Sequence, residues 1–229
     1  MSEMTTTAAI GGSARGPRGW DRAGAYWFLA LGLVYVMIAA QSARDLVLLA
    51  ASPASIAATA SRTCTAAFYL ITCHLLLVRP PPLARKGDAA PVLTAFVATY
   101  GVWFVAFLPA APASPVRDLI GAGVTLVGEA LMVVVILRLG RAFSIVPQAS
   151  ALVTAGPYRY VRHPLYLTEG IAILGILISR LWWAAALFGA AHLALQIRRM
   201  MYEERLLKSV FVDYEDYARR TARLIPGLW

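Results

Sequence analysis

Charge is scarce in this chain. Only 14% of its residues are charged, against 59% hydrophobic, and the mean hydropathy of +0.65 lies well above that of a soluble globular domain. Cysteine is scarce too. Cys64 and Cys73 lie in one apolar run, and at 100° per residue they fall on opposite helix faces, which excludes a disulfide within that helix. Histidine occurs only at 74, 163 and 192. Cys73 adjoins His74, but neighbours on a helix diverge by 100° and do not share a metal, so no metal site is expected. No G-x-S-x-G elbow and no H-E-x-x-H pair is present. The apolar runs do not alternate with polar residues, which excludes a membrane barrel. No Rossmann glycine pattern follows a strand, so a nucleotide-like cofactor has to be held inside a helical bundle. Acids are outnumbered, 12 to 21 basic residues, for a formal charge of +9. In a membrane chain that excess fits loops facing anionic lipid, and no nucleic-acid partner is expected.

What the chain does have is a series of apolar runs near the ~20 residues that a helix needs to cross a bilayer. The expected fold class is all-α, a polytopic transmembrane bundle of about four spans plus a C-terminal helical hairpin, both termini cytoplasmic. Residues 1–22 read as a flexible cytoplasmic tail, 23–137 as the N-terminal spans and 138–229 as the catalytic core. The spans run roughly over 25–41, 56–78, 92–108 and 119–137. Prolines in RPPPLARKGDAAP end the second, since they cannot continue a helix. A polar loop over 138–163 leads to the apolar stretch 165–197, broken near SRLWW, with Trp182 and Trp183 expected at the far interface. Each hairpin arm is short for a full crossing at ~1.5 Å per residue. Arginine and lysine concentrate in the tail (Arg15, Arg18, Arg22), after span two (Arg79, Arg85, Lys86), after span four (Arg138, Arg141, Arg159, Arg162) and after the hairpin (Arg198, Arg199, Arg205, Lys208). The intervening loops carry single arginines, Arg44, Arg117 and Arg180. This is the positive-inside pattern, and it places the basic side in the cytoplasm.

On that side lies GPYRYVRHPLYLTEG (156–170). Pro164 suits the first turn of a helix, so Arg159, Arg162 and His163 cluster at a helix start, where free N–H groups and the dipole favour an anion. A carboxylate or phosphate site and an interfacial girdle both fit this stretch. Glu169 enters an apolar helix by about one turn and has to face protein or a polar cavity. His192, Gln196, Arg199 and Glu203 form one stripe on the second hairpin arm. That stripe reads as the wall of a site or as a helix leaving the membrane, although the second reading explains His192 and Gln196 poorly. Glu129, near the middle of span four, is either functional or a neutral acid hydrogen-bonded in the bundle. Arg62 and His74 read as interfacial.

LGRAFS (139–144), LVTAGPYRYVRHPLYL (152–167), EERLL (203–207), the F-x-x-Y-x-x-Y run (211–217) and Ile225-Pro226 resemble the isoprenylcysteine carboxyl methyltransferase and phospholipid methyltransferase superfamily. These are membrane enzymes that use S-adenosylmethionine. The resemblance covers about residues 138–226. It implies that His163, Pro164, Tyr166 and Leu167 help form the cofactor pocket, and that Glu203 and Glu204 bind the cofactor from the other arm. Many relatives have glycine where this chain has Thr168, so the backbone approach to the cofactor is expected to differ there. The chemistry of the residues agrees. The Arg159/Arg162/His163 cluster suits a carboxylate, the glutamates an ammonium or ribose hydroxyls, and the rings of Tyr158 and Tyr166 a sulfonium. Arg162, Glu169 and Arg199 are the candidate catalytic residues. Arg162 or Arg199 would steer an anionic substrate, and Glu169 or His192 would take a proton from an amine. The expected acceptor is lipophilic or small: an isoprenylcysteine-type carboxylate, a phospholipid amine or a thiol. The expected setting is an inner (plasma) membrane with the site facing the cytoplasm. Two other classes remain, a sterol-type NADPH reductase and a non-enzymatic lipid- or quinone-binding module. Pro164 stands where the reductase pattern has asparagine.

Overall fold

The computed structural model describes residues 19–48, 52–85 and 88–227. Residues 1–18, with Arg15 and Arg18 of the expected tail, and Lys86 lie outside that set. Among the described residues seven α-helices follow in order: α1 (Gly19–Leu48), α2 (Pro53–Val78), α3 (Ala89–Tyr100), α4 (Pro115–Leu139), α5 (Pro164–Ile178), α6 (Trp182–Val210) and α7 (Tyr214–Arg220). The fold is all-α, as expected. Among the described residues, four helical stretches are long and apolar enough to cross a membrane: Ala25–Leu48, Pro53–Val78, Ala89–Phe107 and Pro115–Ala142. Their outward side chains are apolar, with Met37 72% and Phe107 82% exposed. Such surface is costly in water and at home in hydrocarbon. The chain is an integral membrane protein.

Local chemistry sets the helix ends. Ser52 caps α2 and forms a capping box with Ser55, with Pro53 in the first turn. Ser114 and Pro115 do the same work at the start of α4. Gly140 ends α4 with φ of 55°, a conformation that favours glycine. Three boundaries differ from the sequence reading. α1 starts at Gly19, inside the stretch assigned to the tail. The third span tightens into a 3-10 helix over Gly101–Phe107. α6 runs unbroken to Val210, because no glycine or proline stops it between Gly189 and Pro226. The expectation of no strands is corrected in a small way. β1 (Ala84–Arg85) pairs antiparallel with β2 (Gln148–Ala149), pinning the loop after α2 to the loop after α4. Backbone groups that no helix satisfies find partners there.

In the bundle α1 packs on α2, α2 on α4, α4 on α5, and α3 on α6. The α4–α5 crossing is backbone against backbone. A Cβ on Gly121 would lie 2.8 Å from the Gly175 carbonyl, and one on Gly128 2.7 Å from the Cα of Ala172. Small residues at these positions are what let two membrane helices approach this closely. Glu129, one residue on, is buried and accepts hydrogen bonds from Ser61 and Thr65 of α2. It fastens α2 to α4 and lines neither of the pockets at the α5–α6–α7 end of the bundle. Arg62 is exposed and donates to Ser42 of α1. His74 is exposed. Rings of α1, α2 and the third span gather around Tyr69, with centroids at 5.4 Å (Tyr35), 5.7 Å (Phe28) and 6.5 Å (Trp103).

Candidate active site

α5 and α6 run antiparallel and set two polar stripes face to face. His163, Tyr166 and Glu169 recur at three-residue spacing along one face of α5. His192, Gln196, Arg199 and Glu203 recur at four-, three- and four-residue steps along one face of α6. The register is legible in the contacts. At the loop end, His163 Nε2 lies 3.1 Å from Glu204 Oε1. One turn on, the Tyr166 hydroxyl donates to Glu203. Deeper still, Glu169 Oε1 is 3.8 Å from His192 Nε2, and Gln196 Nε2 is 3.3 Å from the same nitrogen. The ring of Phe188 stacks on that of His192, interplanar angle 5°.

Arg199 is the hub. It is 5% exposed. It donates to Thr99 of α3 at 3.0 Å and to the carbonyl of Ile145 at 2.8 Å. Its guanidinium carbon sits 5.0 Å from the centre of the Tyr166 ring. Its Nε lies 3.3 Å from Glu203 Oε1 without the alignment of a hydrogen bond, and is a buried donor without a partner. A charge this deep is tolerable only with such company.

Below this hub is a cavity. Its walls come from the loop after α4, the 3-10 turn Gly156–Arg159, the start of α5, α6 and α7. Tyr158, His163, Tyr166, Arg199, Glu203 and Tyr214 carry its chemistry. The Tyr214 hydroxyl is buried and without a hydrogen-bond partner. Burial pushes the Tyr217 phenol up to about 12, and its hydroxyl donates to the Tyr158 carbonyl at 2.7 Å.

Arg162 also lines the cavity, but its guanidinium is engaged by Glu204 at 2.9 Å and by the carbonyls of Ala218 at 2.7 Å and Thr221 at 2.5 Å. Four other expected site residues stand off the cavity wall, one of them Glu169, which lies deeper beside His192. Arg159 is exposed, with its guanidinium carbon 4.9 Å from the Tyr160 ring centre. Pro164 is buried at the start of α5, and Leu167 is half-buried. Thr168 turns its hydroxyl onto the Leu165 carbonyl at 2.9 Å.

Glu203 and Glu204 part company. Glu203 lines the cavity, whereas Glu204 lines a groove on the outer surface. The sequence held this signal, since adjacent helical residues point 100° apart. Burial favours the neutral form of Glu204, but hydrogen bonds from His163, Arg223 and Arg162 outweigh it and hold the carboxyl at about 2. The stabilisation this brings is complete above the unfolded glutamate's ordinary value of ~4.3 and is lost as pH falls toward the folded value. Melting curves in detergent between about pH 5 and 2 should therefore fall more steeply for the parent chain than for Glu204→Gln. Equal slopes would contradict this account.

Sequence reasoning missed Arg223, Thr99 and Tyr214. Thr99 lies 100 positions from its partner Arg199, and no spacing rule reaches that far. Tyr214 belongs to the F-x-x-Y-x-x-Y run, whose three-residue spacing put it on one face with Tyr217. Among the described residues, no group of three histidine, cysteine, aspartate or glutamate side chains is placed to hold a metal ion.

Residues 116–213 match the family model of phospholipid methyltransferases. That stretch includes both hairpin arms and the cavity's side chains except Tyr214 and Tyr217. Two curated relatives are similar. A nickel-cobalt-cadmium resistance protein of Alcaligenes xylosoxydans xylosoxydans is 34% identical over 82 residues, 35% of this chain and 38% of that protein. A cobalt-zinc-cadmium resistance protein of Cupriavidus metallidurans is 35% identical over 80 residues, 34% of this chain and 37% of its own length. The chain thus spans less than two fifths of the length of either relative.

Proposed function

With residues 116–213 matching the phospholipid methyltransferase family, we propose that this membrane protein is a methyltransferase dependent on S-adenosylmethionine. Its site opens to the cytoplasm of an inner (plasma) membrane. One observation carries this reading. The two ends of the motif, His163–Tyr166 and Glu203–Glu204, meet through hydrogen bonds between their side chains, and His163, Tyr166 and Glu203 line one cavity.

The donor set fits the cofactor. Glu203 offers a carboxylate for an ammonium or a ribose diol. The Tyr214 hydroxyl and Arg199 Nε are buried polar atoms without an aligned hydrogen-bond partner. The Tyr158 and Tyr166 rings offer faces to a sulfonium. Arg162 is spent on Glu204 and two carbonyls, so Arg199 is the better-placed cation for a carboxylate. When bound, S-adenosylmethionine supplies an activated methyl group for in-line displacement. The chain's part is to orient, to exclude water and to manage a proton. Beyond Tyr166, half-buried Glu169 and buried His192 would take a proton from an amine acceptor arriving from the bilayer. A carboxylate or thiolate acceptor needs no such base.

Two measurements test this. S-adenosylhomocysteine should raise the melting temperature of the detergent-purified chain, and NADPH should not. The reverse would favour a reductase, and no shift with either a binding module. Membranes given labelled methyl donor should then yield a labelled lipid or small molecule. Glu169→Gln should lower turnover by a factor of ~10² or more for an amine acceptor and leave a thiol or carboxylate acceptor nearly unchanged.

A further inference from the structure

Glu204 sits in a knot that joins three parts of the chain. Its Oε1 accepts from Arg162 Nε at 2.9 Å and from Arg223 Nε at 3.0 Å, and lies 3.1 Å from His163 Nε2. Its Oε2 accepts from Arg223 Nη2 at 2.8 Å. Arg162 and His163 precede α5, Glu204 belongs to α6, and Arg223 follows α7. Around the knot the C-terminal stretch is laid against the turn before α5. Arg162 N donates to Ala222 O at 2.8 Å, His163 N to Arg223 O at 3.1 Å, and Ala222 N to Tyr160 O at 3.1 Å. Residues 211–226 thus form a strap on one side of the cavity. Outside the knot lies an open surface groove, lined also by Arg205, Lys208 and Glu215. Arg162 and Tyr214 line both spaces, so they are the partition between groove and cavity.

We infer that Glu204 is a positioning residue that fastens the C-terminal strap over the cavity, and that the cofactor passes between groove and cavity when the Glu204–Arg223 bonds release. A carboxylate whose oxygens are already occupied by Arg162, His163 and Arg223 is poorly placed to bind an ammonium or a diol as well. That task is left to Glu203, one residue away and facing inward. The inference rests on the reading that the cavity takes S-adenosylmethionine.

The test is hydrogen–deuterium exchange on the full chain in detergent, together with the rates of S-adenosylhomocysteine binding. Glu204→Gln and Arg223→Gln, made separately, weaken the same contact from its two ends. Each should speed amide exchange in the 160–163 and 211–226 peptides by roughly tenfold or more without ligand, given the strength of charge-assisted bonds. Each should also raise both the association and the dissociation rate of S-adenosylhomocysteine. A residue that merely holds the fold would not raise an association rate. Glu203→Gln should weaken binding while strap exchange stays at the parent rate. Parent-like exchange in the Glu204→Gln strap combined with lost binding would make Glu204 a ligand and overturn the inference. Should Glu204→Gln not fold, parent-like exchange and rates in Arg223→Gln would overturn it equally. A parent chain that does not bind S-adenosylhomocysteine defeats the cofactor reading alone, and strap exchange in the two variants still decides the role of Glu204.

Discussion

Glu203→Ala is expected to bind S-adenosylhomocysteine ~10- to 100-fold more weakly than the parent chain, read by titration calorimetry in detergent. A hydrogen bond to a charged group contributes about 1.5–3 kcal/mol, and Glu203 is the carboxylate that faces the cavity. The same truncation strips two buried groups of a partner, the Tyr166 hydroxyl and the Arg199 guanidinium. Leaving a buried charge without its partner costs about 3–5 kcal/mol. Arg199 keeps Thr99 and the Ile145 carbonyl, so a smaller loss of stability is expected here. Glu203→Gln separates the two effects, since its amide oxygen can still accept from Tyr166. It should restore most of the melting temperature and little of the affinity. Parent-like affinity in both variants would remove Glu203 from the site.

The second large effect lies away from the site. Gly128→Val and Gly175→Val should each destabilise the folded chain by about 3 kcal/mol or more, at or beyond the upper end of ordinary overpacking. An added Cβ on Gly128 would overlap the backbone of Ala172, and one on Gly175 that of Thr125. Backbone cannot swing aside as a flexible side chain can, so α4 and α5 would have to separate. Parting them also breaks the contact between Thr125 Oγ1 and the Ala172 carbonyl, 3.4 Å. Gly123→Ala, on the same helix but with nothing near its added Cβ, is the control. It should be neutral or stabilise by up to about 1 kcal/mol through helix propensity. Equal melting temperatures for Gly128→Val and Gly123→Ala would contradict the packing described above.

Short-range patterns made much of this protein legible in its sequence. Apolar runs marked the spans, and prolines marked the end of the second span and the start of α5. The stripe His192, Gln196, Arg199 and Glu203 faces α5 because three- and four-residue steps stay on one side of a helix. The rest depends on contacts between distant segments. Nothing near Arg223 marks it as the partner of Glu204, and nothing in Ser61 or Thr65 points to Glu129. α4 and α5 are separated by a loop that folds back as part of the cavity wall, so the meeting of Gly128 with Ala172 follows from the bundle's topology alone. The end of α6 was hidden for a different reason. The helix keeps its form while its surroundings change, and hydropathy marks the change of surroundings only.

The shortness of α5 has a consequence for the lipid around it. Fifteen residues rise only ~23 Å, several ångströms less than a bilayer core of ~30 Å. Locked by its glycines against the longer α4, α5 cannot lengthen its reach by standing more upright. The hydrocarbon beside it has to thin, or water and headgroups have to dip toward the helix start. On the proposed methyltransferase reading, that dimple would bring the polar end of a lipid-dissolved acceptor level with the cavity while its tail stays among acyl chains. Such an acceptor would not have to be lifted out of the membrane to react.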